Sequence, residues 1–281
     1  MSTIWAIAAL TAREAVRRRL VAAFAVIAVA LIAISGWGFA RLSHGGGLTS
    51  GETSAGLPEA FILFMFMFSF VVALSASAIA APAVSGEVDS GVLATVLTRP
   101  VRRSEVLLGK WLGLAGLLTA YTGLVCGLQV AVVAWTSGFV PPDPAAAAAL
   151  VLGEGLTLLT LVLLLSTRLS ALAAGVAGVA VFGIAWLAGV VGALGASFNI
   201  SALHTASEVS QYIVPTDGLW HGAIFYLEPS SYLSVQISTA GDRGDPFFAA
   251  AAPSWSYLAW AAVWFVLVLA LSVASFERRE L

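Results

Sequence analysis

Few residues in this chain have the types and spacing that chemistry needs. Lys110 follows Gly109, but a phosphate-cradling loop needs a second Gly six residues before the Lys and a Ser or Thr after it. Those positions hold Ser104 and Trp111. Neither H-E-x-x-H nor G-x-S-x-G occurs, so the common metalloprotease and serine-hydrolase signatures are missing. His44, His204 and His221 are scattered without the spacing of metal ligands. The single Cys126 lies in an apolar run and reads as a small hydrophobe. The expectation is therefore a chain that is not an enzyme, with no catalytic residue, metal or cofactor of its own. Two features remain. Glu154 is a carboxylate inside an apolar segment, where an acid is costly and reads either as a polar clamp or as a substrate or proton site. The stretch from Ser85 to Lys110 gathers Glu87, Asp89, Arg99, Arg102, Arg103, Glu105 and Lys110 between two oily runs.

The elements that position these residues follow from composition. The chain has 281 residues, 60% hydrophobic and only 10% charged, against about 25% charged in soluble domains. Such a chain must bury its surface in a bilayer. A spanning helix needs roughly 20 apolar residues. Six runs qualify: Leu20 to Ala40, Ala60 to Val84, Val106 to Trp135, Ala146 to Leu165, Ala171 to Gly195 and Trp255 to Phe276. The first run is longer than a signal-peptide core of about 7–15 residues, so it reads as an uncleaved span. Eleven of the thirteen Lys and Arg residues fall on one side of this arrangement, leaving only Arg41 and Arg243 on the other. Both termini are thus expected in the cytoplasm.

The charged stretch becomes a cytoplasmic loop, residues 85–105, between spans two and three. Val88, Val92, Leu93, Val96 and Leu97 recur at helical spacing, which predicts a short amphipathic helix over 86–97. Glu87 and Asp89 lie in its first turn, where the helix dipole favours acids. Pro100 ends it, and Ser104 is the expected N-cap of span three, with Glu105 in the first turn. The plain reading is a solvated connector; the sharper one is a docking helix for a cytoplasmic partner. Residues 1–19 read as an interfacial helix, with Glu14 able to pair with Arg17 or Arg18 and its basic end at lipid head groups. Within the spans, Glu154 and Gln129 are expected at similar depth on neighbouring helices and within hydrogen-bonding reach. Phe61, Met65, Phe68 and Val72 share one face of span two, facing either a greasy route or lipid. Ala185, Gly189 and Ala193, and Ala188, Gly192 and Ala196, recur four apart and predict a close helix contact, which includes the option of a dimer seam. Residues 196–254 read as short helices capping the outer mouth, with a partly re-entrant path as an option, and able to act as an outer gate.

The stretch SGEVDSGVLATVLTRPVRRSEVLLGK resembles the segment between the second and third spans of type-2 ATP-binding-cassette permeases. The N-terminal helix, the ending SFERREL and the long outer segment before span six are similar to the subgroup tied to copper-enzyme maturation, gliding and antibiotic export. The resemblance implies a single all-α permease domain with six spans, an interfacial helix and a coupling helix. It implies a bacterial inner-membrane exporter that pairs with a second permease subunit, identical or related, and with two ATP-binding subunits that hold ATP and Mg. Matched residue by residue, Glu87, Asp89, Gly91, Arg102 and Arg103 would meet the ATPase, with lipid phosphate as the other partner for Arg102 and Arg103. In such permeases the second and fifth spans border the path, which makes Phe61, Met65 and Phe68 candidates along it; Gln129 and Glu154, on spans three and four, are candidates as polar groups within the membrane. No nucleic-acid partner is expected. The competing readings are an ion-gradient transporter, which would ordinarily show internal repeats, and a non-transporting scaffold or sensor.

Overall fold

The structure, a computed structural model, describes residues 3–44, 50–89, 102–198, 200–239 and 245–279. Every regular element among them is a helix. In chain order these are α1 (Thr3–Val16), α2 (Arg19–His44), α3 (Ser50–Ala80), α4 (Ser85–Asp89), α5 (Arg103–Ser137) and α6 (Pro144–Ser166). There follow α7 (Ala171–Ser197), α8 (Ser201–Ile213), α9 (Thr216–Leu227), α10 (Ser230–Thr239) and α11 (Trp255–Glu277). Six are long and apolar enough to cross a bilayer: α2, α3 running on into α4, α5, α6, α7 and α11. The six spans read from hydropathy fall on these helices, and the chain is an all-α membrane protein.

Local chemistry explains where the helices start and stop. Asp143 accepts a hydrogen bond from Ala146 N–H at 3.0 Å, and Pro144 occupies the first turn, so α6 begins there. Gly138, with φ of 72°, closes α5 in the left-handed region that costs other residues most. In the tight turn between α6 and α7, Ser166 and Thr167 bond back to the Leu163 and Leu164 carbonyls, and Ser170 caps α7. The start of α5 differs from expectation. Ser104 is inside the helix, Arg102 is the N-cap, and the Glu105 carboxylate accepts the Arg102 N–H at 3.3 Å. A Glu at the third helical position can reach back this way, which leaves the serine hydroxyl unneeded.

Helices α3 and α6 carry much of the bundle's core. Phe61, Met65, Phe68 and Val72 of α3 and Val151, Leu158, Leu159 and Val162 of α6 are fully buried. Helices α2, α5 and α7 pack around them, and α11 lies against α5 and α6. Outward faces are oily: Val29 and Trp37 on α2, Leu172 and Ile184 on α7, and Val266 and Leu271 on α11 are exposed. Lipid is the natural solvent for such faces. One end of the bundle, the terminal face, carries α1, α4, the α6–α7 turn and the end of α11. The other end, the cap face, carries α8 and α9.

The cap is more deeply embedded than a loose gate. Helix α9 is buried on nearly every side, with Trp220, Ala223, Ile224 and Leu227 in the core against α6. Helix α11 holds the α8–α9 turn: Trp260 and Trp264 indoles donate to the Tyr212 and Ile213 carbonyls at 3.0 and 2.7 Å, and the Tyr257 hydroxyl to Pro215 O at 3.1 Å. The small-residue stripe of α7 is spent here. A Cβ on Gly189 would strike the Asp217 carboxylate, and one on Gly192 would strike Ser207. The expected close helix contact is real, but α8 and α9 cover these glycines, so this stripe is not a free dimer seam.

Candidate functional site

On the terminal face, Lys110 of α5 is 4% exposed and is surrounded by apolar spans. Its Nζ donates to the Ala83 carbonyl in the turn that ends α3 and pairs with the Glu87 carboxylate of α4. A cation at a helix C-terminus completes carbonyls that the helix leaves unpaired. The buried charge is thereby paired and hydrogen-bonded, as a buried ammonium must be. Glu87 is partly exposed and stands at the mouth of the site. Helix α1 closes the other side. Glu14 and Arg18 pair at 2.7 Å, and a small cavity of about 10 Å³ is lined by Glu14, Arg18, Glu87 and Lys110. Two acids and two bases thus meet where α1, α3, α4 and α5 converge. Helix α1 reaches them by crossing α5 at Gly109 and Gly113, where it lies too close for a side chain.

A second set of contacts ties the far end of the charged loop to the chain's last residues. Arg103 Nη1 donates to Glu277 O and Arg279 O at 3.2 and 2.6 Å. Arg279 in turn donates to Thr167 O at 2.8 Å, and Arg168 Nε to Ser275 Oγ at 3.0 Å. Three arginines therefore satisfy carbonyls at the C-terminal ends of α6 and α11 and clasp both to α5. The Arg103 Nη1 thus already serves two backbone carbonyls. Arg102 beside it is exposed. Asp89 is the last residue of α4. Gly91 and the rest of the helix expected over 86–97, with Arg99 and Pro100, lie outside the described residues.

The intramembrane polar pair is not formed. Glu154 accepts from Ser69 Oγ of α3 at 3.0 and 2.9 Å through its two oxygens. Gln129 Oε1 accepts from Ser35 Oγ of α2 at 2.8 Å. The short 138–143 connection does make α5 and α6 neighbours, but each polar group turns to a different third helix. Phe61, Met65, Phe68 and Val72 lie in the core, which removes lipid as their neighbour. Phe61 packs on Phe39 of α2 and on Phe139, with ring centroids 6.4 and 5.6 Å apart.

The cap face holds charges that sequence reading left unassigned. Asp217 of α9 is 4% exposed; its Oδ2 accepts from Gln211 Nε2 at 3.3 Å and lies 3.4 Å from His221 Nδ1. Burial works against a charged His221, but the hydrogen bonds and charge of Asp217 outweigh it and hold the imidazole above its ordinary pKa. Only the turn of one helix, Asp217 to His221, could have signalled this pair, and i,i+4 pairs are common. At the other end of α9, Glu228 is 2% exposed, with the Ala249 backbone near its carboxylate. Burial pushes it up to about 8, the Ala249 backbone offsets this in part, and Asp245 adds to it. The folded chain then keeps a proton that the unfolded chain sheds near 4.5. Stability is full below that value and falls as pH rises to about 8. The melting temperature in detergent is expected to fall across this window, and Glu228→Gln to flatten that fall. An unchanged pH profile in the variant would refute the assignment. Among the described residues no three His, Cys, Asp or Glu side chains are grouped to hold a metal.

A comparison with curated proteins finds no match. A family model described as ABC-2 family transporter protein matches residues 5–281, from α1 through all six candidate spans. With that match over nearly its whole length, the chain belongs to the ABC-2 family of transporter proteins.

Proposed function

We propose that the chain is the membrane subunit of an ATP-driven exporter of the bacterial inner membrane, paired with a second permease and driven by two ATP-binding subunits that dock on its terminal face. That it is a multi-pass permease of an ATP-binding-cassette transporter, working with an ATP-binding subunit, follows from the family. Export, the dimer, the copy numbers and both termini in the cytoplasm extend that statement. The single observation that carries the docking site is the buried Lys110, bonded to Ala83 and Glu87. It locks the entrance of the 85–105 loop to spans two and three at once. A push on this loop by ATPase closure is then delivered to α3 and α5 rather than absorbed by a slack connector. The clasp around Arg103 passes the same displacement to α6 and α11. ATP and Mg stay on the partner, whose hydrolysis supplies the work.

The translocation route is assigned to the α3 face of Phe61, Met65 and Phe68, which is sealed as described. Opening it requires the helices packed around this face to part, and Ser35–Gln129, which joins α2 to α5, and Ser69–Glu154, which joins α3 to α6, are polar contacts such a movement would exchange. The test is co-expression with an ATP-binding subunit from the same genome neighbourhood. The two are expected to co-purify, and ATP hydrolysis in vesicles to rise when both are present. Glu87→Gln, which keeps the side chain's shape, is expected to leave assembly intact and cut the stimulated hydrolysis several-fold. A chain that purifies alone and moves solute on an ion gradient would sink this reading.

A further inference from the structure

Where the cap enters the bundle, α9 presses Asp217 against Gly189 of α7 and turns Thr216 and Trp220 toward Glu154 of α6. Glu154, Thr216, Asp217 and Trp220 line one cavity of about 10 Å³, room for about one water. Phe66, Phe182 and Trp186 wall it off with aromatic surface. Three polar atoms in this lining have no hydrogen-bond partner: Asp217 Oδ1, Thr216 Oγ1 and Trp220 Nε1. Their residues are at least 96% buried. Glu154, 2% exposed, has only the Ser69 hydroxyl.

Charge is out of balance here. Two buried carboxylates face one ionisable base, His221. With all three ionised the cluster keeps an excess negative charge, and among the described residues no Lys or Arg forms an ion pair with it. The other elements bring no remedy. Helix α3 offers Ser69 and Phe66, and α7 offers Trp186 and Gly189. Helix α8 offers the neutral Gln211, while its Glu208 and His204 pair with each other at an exposed site. Helix α11 brings Tyr257, whose hydroxyl is committed to Pro215 O, with Tyr212 beside its ring. An uncompensated carboxylate in apolar surroundings takes up a counter-charge or expels itself. A single water can satisfy the orphaned N–H and oxygen atoms but cannot cancel charge. A metal ion would need several ligands around one point, which the described residues do not supply.

We propose that Glu154, Asp217 and His221 form a proton-binding site, in which one exchangeable proton, shared by the two carboxyl groups through a water in the cavity, keeps α9 docked on the bundle. The proton comes from solvent on the cap side and returns to it, converting one carboxylate to the neutral acid and back. Its loss leaves two facing carboxylates that repel and draw water, and α9 separates from α3, α6 and α7. The cap then opens in response to pH on its own side of the membrane. This stands apart from the docking of the ATP-binding subunit, so either idea can fail alone.

The test is infrared titration in detergent of the full-length chain carrying Glu228→Gln, which removes the other buried acid expected to hold its proton above the usual range. Above the pH at which exposed carboxylates have ionised, a residual carboxylic-acid C=O band is expected, disappearing on further titration. Glu154→Gln should remove this titrating band or displace its midpoint, and so should Asp217→Asn. His221→Asn removes a cation that favours the ionised acids, so the midpoint should move to higher pH. Ser69→Ala, which leaves all three ionisable groups in place, should also raise it, and guards against misfolding of the carboxyl variants. Absence of a residual band, or a midpoint unmoved by all four substitutions, overturns the proposal. So does displacement of the band by sodium at fixed pH, which would make a metal cation the occupant.

Discussion

Glu87→Ala is expected to destabilise the protein by about 3 kcal/mol or more, the cost of leaving a buried charge without its partner, and to do so more strongly than Lys110→Met. The asymmetry follows from burial. Lys110 is 4% exposed and has only the Ala83 carbonyl left once the carboxylate is gone. Glu87 stands at the edge and can turn to water when Lys110 is removed. Methionine keeps the length and the oily stem of lysine, so the loss in that variant is mainly the cap on Ala83, about 1 kcal/mol for a net hydrogen bond. The double variant should be more stable than Glu87→Ala alone, because no buried ammonium remains. Thermal unfolding in one detergent, run on all three variants, measures the coupling. Additive losses would mean that the two side chains do not act as a unit. In the assembled transporter the double variant separates fold from function: near-normal stability with hydrolysis uncoupled from transport is the expected pairing.

The spans were legible because membrane-crossing helices announce themselves by length and hydropathy. What the sequence could not carry was which polar groups meet. Lys110 reads as the last of seven charges in the stretch that opens at Ser85, yet it is buried, because its position about two turns inside α5 points it at Ala83 and Glu87. Gln129 and Glu154 do lie on neighbouring helices, but adjacency does not fix rotation about the helix axis. Ser35 and Ser69, silent as isolated serines, turned out to be the partners. For Arg103 the resemblance implies an ATPase contact or a lipid phosphate; the structure adds that the Glu277 and Arg279 carbonyls lie within its reach. Helix α9 was the largest surprise. At twelve residues it is too short to span and it is buried all round, so it lacks both the length signal and the one-sided pattern of a surface helix.

Gly113→Ala is expected to cost about 1–3 kcal/mol, the usual range for forcing atoms into a packed contact, although alanine is the better helix former. A Cβ at this position falls on the Ala8 carbonyl, and backbone cannot rotate aside as a side chain can. Helix α1 must lift off α5 to make room. Gly109, one turn earlier, approaches Ile7 in the same way, so the GKWLG segment is a small-residue crossing of the kind that brings membrane helices close. Gly116 is the control, since nothing lies within 4 Å of its Cβ position. There alanine should be neutral or stabilising by up to about 1 kcal/mol, the difference in helix propensity. The two substitutions are chemically identical and three residues apart, so opposite signs in thermal unfolding isolate the α1 contact from any general effect of the added methyl. Protease cleavage after Arg17 or Arg18, at the α1–α2 bend, should rise in Gly113→Ala and stay unchanged in Gly116→Ala. Equal behaviour of the two would mean that α1 does not rest on α5. Because Lys110 sits between the two crossing glycines, lifting α1 also uncovers the buried ammonium to water. Stimulated hydrolysis should therefore fall in Gly113→Ala even though no residue facing the ATP-binding subunit has changed.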